Sequence, residues 1–228
     1  MCEFFSFVTR GDGKMFYFDH EQRQTICKDK SYGIDSHTSI CVYYNLIEDK
    51  TNKYEYNPLT KVLVDDKINA HSGSDRSMVL KSLENFDFKT ICHELNVKDI
   101  IHPLKIQRSR GVTEREIELL KEWISVSNSV SNSVSNSVWD SVWDSVCDSV
   151  RGSVWDSVWD SIGDSVWVYI SSFFNLKTWK GFKHLPEYQN PFQSGIDLWD
   201  VGLVPSFDGK TWRLHSGENA EVVYEIEG

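Results

Sequence analysis

Apolar and aromatic residues dominate "FFSFVT" (4–9) and "KMFYFD" (14–19), two strand-like stretches bounded by polar residues, and "RGDGK" between them supplies Gly11 and Gly13 for a turn. This predicts an opening hairpin. A second hairpin is predicted for "NKYEYNP" and "TKVLVDDKI", turned through Asn57-Pro58-Leu59-Thr60. Between the two, "GIDSHTSICVYYNLI" ends in a stretch suited to a short helix. "RSMVLKSLENFDFKTICHELN" spaces Met78, Leu80, Leu83, Phe86 and Phe88 as one short helix followed by a loop or strand. In "VTEREIELLKEW", Thr113 can cap a helix while Glu116 reaches back to it, ahead of Ile117, Leu119, Leu120 and Trp123. The chain closes on "KTWRLHS" and "EVVYEIEG", a hairpin around "GENA".

Between the capped helix and the closing segments the pattern changes to a period of four. Val or Ile stands at every fourth position from Val126 to Ile170, preceded by Ser in every unit but the last. The next position varies among Ser, Trp, Cys, Arg and Gly, which points it to solvent. The fourth is Asn, Asp or Gly until Val168. In an α-helix each unit advances 400°, so the Val stripe drifts about 40° per unit and circles the axis within about nine units. Ser, Val, Asn and Asp are also poor helix formers. A β-solenoid instead turns a corner at each unit, and Asn, Asp and Gly tolerate the backbone angles of corners. The expected fold class is therefore an α+β N-terminal module, a tetrapeptide-repeat β-solenoid with a long α-helix as the alternative, and a β-hairpin C-terminal cap. The expected boundaries are an α+β module over 1–110, a linking helix over 111–124, the repeat over 125–170 and the cap over 171–228. Trp199, Phe207, Trp212 and Leu214 are the expected core of that cap.

Composition bounds the function. A chain of 228 residues that is 40% hydrophobic can bury a core. Its formal charge is −10, and residues 125–168 carry one Arg against six Asp. Such a surface repels phosphate, which argues against direct nucleic-acid binding and for a basic protein partner. The five cysteines are scattered without a C-x-x-C pair, so neither a disulfide framework nor a zinc ribbon is expected. "MCEFFSFVTRGDG" lacks the basic start of a signal peptide, and "VWVYISSFF" is too short to span a bilayer, so a soluble protein in a reducing setting is expected.

"MCEFFSFVT", "NKYEYNPLTK", the S-V-W-D run, "WVYISSFF" and "GLVPSFDGKTWRLH" together resemble a group of bacteriophage and gut-viral proteins. The resemblance covers most of the chain. It implies a viral origin, repeat-number variability and a place in the host cytoplasm or the virion, and it carries no activity with it. The repeat also resembles pentapeptide-repeat proteins, from which it departs by lacking one residue per side.

Candidate chemistry is sparse. Asp35–His37 and Cys92–Glu94, with His71 and His102, hold the ligand types of a metal site at a spacing that matches no ligand motif. Nothing marks Cys92 as a lowered-pKa nucleophile, and no nucleophile elbow, P-loop or dinucleotide fingerprint occurs. No catalytic residue, cofactor or metal is expected. Trp139, Trp143, Trp155 and Trp159 share one repeat position, each followed by Asp140, Asp144, Asp156 or Asp160. These eight are the candidate binding residues. Exposed, the rings could grip a partner or stack on sugars; otherwise they pack against the flanking modules or a second copy. The expected function is a non-enzymatic viral repeat scaffold that binds a host or virion protein, with a homo-oligomer as a further expected assembly. A carbohydrate-binding module and a small metal-dependent enzyme are the alternatives.

Overall fold

A computed structural model describes residues 5–26, 33–130, 134–142 and 165–228. They form an α+β protein that divides into two compact units, one ending at Val97 and one beginning at Lys98.

In the first unit, strands β1 (Phe5–Thr9), β2 (Asn52–Asn57) and β3 (Val62–Lys67) form an antiparallel sheet with β2 in the centre. Helices α1 (His20–Ile26), α2 (His37–Tyr43) and α3 (Arg76–Leu83) accompany it. The opening hairpin is reduced to one bridge: Val8 and Phe16 exchange both backbone hydrogen bonds, at 3.0 and 2.9 Å, and β1 takes its full partner from β2. Alternation along β1 and β2 sorts their residues by face. Phe5, Phe7, Tyr54 and Tyr56 lie on one side, where Phe5 stacks on Phe86 at 5.3 Å and Phe7 on Tyr54 at 5.4 Å. Val8 joins Phe18, Ile26, Ile40 and Cys41 on the other.

A buried carboxylate ties the loops of this unit together. Asp75, 1% exposed, accepts from the Tyr54 hydroxyl (2.7 Å), Asn52 Nδ2 (2.8 Å) and the Gly13 amide (2.7 Å). Gly13 sits at φ 76°, where a Cβ would lie 2.7 Å from Met78 Cβ, so only glycine presents its N–H from this turn. Burial pushes the Tyr54 hydroxyl up to about 12, reinforced by the Asp75 carboxylate that its proton faces.

In the second unit, α4 (Glu114–Ser129) starts at the Thr113 capping box, with Thr113 accepting from the Glu116 amide and Glu116 from the Thr113 amide. Helices α5 (Val134–Val142), α6 (Ser165–Ser171) and α7 (Gln193–Asp200) follow, then an antiparallel sheet of β4 (Val204–Phe207), β5 (Thr211–Ser216) and β6 (Glu221–Glu227) in that order. The core forms where α4, α6 and α7 meet. A Cβ on Gly195 would lie 2.7 Å from Val168 and 3.2 Å from the Trp123 ring, so the helices approach over a bare backbone. Tyr169 stacks on Trp199 at 4.8 Å, and its hydroxyl donates to the Asp99 carbonyl and accepts from the Ile101 amide.

The solenoid is overturned. The described parts of the repeat are helical: its first unit continues α4, and α5 and α6 are built from it. No stacked repeat sheet occurs among the described residues. A drifting stripe defeats only a helix long enough to circle its own axis. Over the nine residues of α5 the shift from Val134 to Val138 is about 40°, and both stay on one face. Packing then outweighs propensity, since every residue from Val166 to Ser171 is buried. Asn136 and Asp140 are accordingly exposed positions inside a helix rather than corners. Within the closing segments Trp199, Trp212 and Leu214 are buried, while Phe207 is 47% exposed with its ring stacked on Trp212.

Candidate functional site

Of the eight repeat residues expected to bind, Trp139 and Asp140 lie among the described residues; Trp143, Asp144, Trp155, Asp156, Trp159 and Asp160 lie outside them. Trp139 is half-buried and meets Trp167 edge to face at 5.7 Å. Trp167, at the same repeat position, is 9% exposed. At these two units the variable position faces protein rather than solvent. Asp140 is exposed and takes an ion pair from Lys180 at 2.5 Å.

The histidine and cysteine clusters serve the fold. Asp35 pairs with Arg23 at 2.7 Å, Ser36 caps α2, and His37 Nε2 lies 3.0 Å from the Tyr54 carbonyl. Burial, then the neighbouring Glu94 carboxylate, pushes the Cys92 thiol up to about 11, the opposite of what a thiolate nucleophile needs. Burial lowers the His102 imidazole. His71 is exposed, and no three metal-ligating side chains converge among the described residues.

A groove of about 680 Å³ lies in the first unit. Its aromatic wall begins on the central strand, where Tyr56 stacks nearly parallel to Phe88 at 5.7 Å. Helix α3 supplies Leu80 and Leu83, then stops. The segment after it makes the second wall: the Phe86 amide bonds back to the Leu83 carbonyl, and Asp87 caps a single 3-10 turn, Phe88–Thr90, through the Lys89 amide. That turn sets Phe86 and Phe88 ring against ring at 4.9 Å. Leu95 and Val97 complete the apolar lining, and Lys61, Lys89, Glu84 and Asp87 stand around it.

Leu80 and Val97 are each 38% exposed, whereas Leu83, Leu95 and Phe88 are buried. The groove therefore has a closed floor and an open apolar lip. Burial raises the Tyr56 hydroxyl, keeping it a neutral donor. His, Ser and Cys are absent from the lining, so the groove holds no Ser–His or Cys–His pair. It can take up a large apolar side chain, stack it on aromatic faces and fix its flanks with charge.

The spacing of Met78, Leu80, Leu83, Phe86 and Phe88 predicts only a short helix followed by a loop or strand and marks no groove. The available signal was aromatic spacing: "YEY" on a strand and "FDF" directly after a helix each place two rings on one side of the chain. No protein-family model, curated protein or solved structure matches this chain.

Proposed function

We propose that this chain is a binding protein that takes an extended segment of a protein partner into the groove of its first unit. The observation that carries this reading is the lip of the groove, where Leu80 and Val97 stand exposed beside a floor of buried aromatic and aliphatic side chains. A surface of this kind is stabilised by covering it, and an apolar anchor in an aromatic pocket is how a few residues dominate a protein interface. The partner segment carries a large apolar residue next to Lys or Arg. Glu84 and Asp87 line the groove and can pair with a basic flank, Lys61 and Lys89 balance them locally, and the chain's formal charge of −10 tips the preference toward a basic segment. The same charge opposes direct nucleic-acid binding. The resemblance to bacteriophage and gut-viral proteins makes a host or virion protein the natural source of that segment.

Selection of a random peptide library on the full-length protein tests this. Enriched peptides should share Trp, Phe or Leu flanked by basic residues. Leu80→Asp, at a side chain already exposed, should abolish their binding and leave the melting temperature unchanged. Failure to enrich a motif, or undiminished binding to the Leu80→Asp protein, would remove the groove as the site.

A further inference from the structure

The second unit holds a different chemistry, independent of the groove. In the β4–β5 register Val204 pairs with His215 and Ser206 with Arg213, so Ser206 and His215 are diagonal neighbours on one face. Their side chains meet at 2.7 Å, Ser206 Oγ to His215 Nε2. His215 Nδ1 lies 2.9 Å from the Ala220 carbonyl, which can only accept. In the neutral imidazole that contact selects the tautomer with the proton on Nδ1 and the lone pair on Nε2, to which Ser206 then donates.

We propose that Ser206 is a nucleophile with His215 as its general base, acting on small acyl esters. Three features of the backbone and its neighbours support the arrangement beyond the hydrogen bond itself. The β5–β6 register shifts between Leu214 and His215, a bulge of the kind that re-aims a side chain. Ala220 sits at φ 51°, a left-handed conformation costly for a residue with a Cβ, and it is the residue whose carbonyl orients the base. Arg213, across from Ser206, spends Nε on Glu225 and Nη1 on Asp208, and its Nη2 makes no hydrogen bond among the described residues. Nη2 thus remains a positively charged donor on the face of the sheet that Ser206 and His215 share. Ser206 and His215 are both half-buried, open to a small substrate laid on the sheet. Asp208 and Glu225 outnumber Arg213 on this surface, which favours neutral or cationic esters over anionic ones.

In the reaction, Ser206 Oγ bonds to the acyl carbon as its proton passes to His215 Nε2. The ester C–O bond breaks, and the leaving alkoxide takes that proton. Water, deprotonated by Nε2, then hydrolyses the acyl-serine to the carboxylic acid and free Ser206. A fluorophosphonate probe applied to the full-length protein, with the adduct mapped by mass spectrometry, is the test. A covalent adduct on Ser206 is expected, with an initial burst of p-nitrophenol from p-nitrophenyl acetate. Ser206→Ala should remove both, and His215→Gln, with unchanged melting, should slow labelling by about 100-fold. Because the adduct is mapped on the unaltered chain, a misfolded variant does not obscure the answer. Absence of an adduct at Ser206, or labelling unchanged in His215→Gln, overturns the proposal.

Discussion

Asp75 in the first unit and Glu116 in the second are both buried carboxylates, 1% and 3% exposed, and they are kept ionised by opposite means. Asp75 takes its hydrogen bonds from neutral groups: the Tyr54 hydroxyl, the Asn52 amide and the Gly13 backbone. Glu116 takes two from Arg108, at 3.0 and 2.9 Å, and one from the Thr113 amide at 2.7 Å. Burial alone would raise both acids. At Asp75 the donors Tyr54, Asn52, Thr9 and Gly13 outweigh it; at Glu116 Arg108 and Thr113 do, and both carboxyls end below their ordinary values. A buried charge thus needs enough converging dipoles, and a counter-ion is one way among others to supply them.

The two arrangements fail differently. Asp75→Ala leaves several buried donors without an acceptor and has no cation to release, so it should cost the most, about 4 kcal/mol. Glu116→Gln retains an acceptor for the helix cap, and Arg108 keeps the Val201 carbonyl at 2.7 Å, so about 2 kcal/mol is expected. All nine Trp residues lie beyond residue 122, so Trp fluorescence follows the second unit, while hydrogen exchange at the Gly13 and Ala70 amides follows the first. A larger loss for Glu116→Gln than for Asp75→Ala would reverse the comparison.

Acid sharpens it. Each carboxyl has a lower pKa folded than unfolded, so its contribution is fully present above the unfolded value of about 4 and is lost as pH falls through the folded value. Stability of both units should therefore fall on acidification from pH 5 toward 2, and each variant should flatten that limb for its own unit only. The smallest effect belongs to the cap: Thr113→Ala removes one hydrogen bond at the start of α4 and should cost about 1 kcal/mol by Trp-fluorescence melting.

What could be read from the chain divides along the range of the interactions. The hairpin through Asn57–Thr60, the closing hairpin and the Thr113–Glu116 box are local, and their signals sit within a few residues of the structure they produce. Asp75 is invisible by the same standard, because its partners Gly13 and Tyr54 lie 62 and 21 residues away. The groove joins a strand residue, Tyr56, to Phe88 of a turn beyond the next helix, and no window of alternation or helical spacing spans both. Nothing in the sequence pairs Ser206 with His215, since only the β4–β5 register makes them neighbours. The repeat misled for another reason. Identical tetrads suggested a single structure for the whole run, whereas each short helix answers to the surface it packs against, as buried α6 shows.

The meeting of Trp139 with Trp167 bears on heredity as much as on packing. The two rings occupy the same slot of a tandem tetrad, and the run between them is written in the same unit. Copying errors in such a tract add or remove whole units. An error of that kind between α5 and α6 leaves the text of both unaltered, with Val138 and Trp139 on one side and Val166 and Trp167 on the other. The contact is written near the two ends of the tract, and a unit gained or lost between residues 143 and 164 edits neither partner.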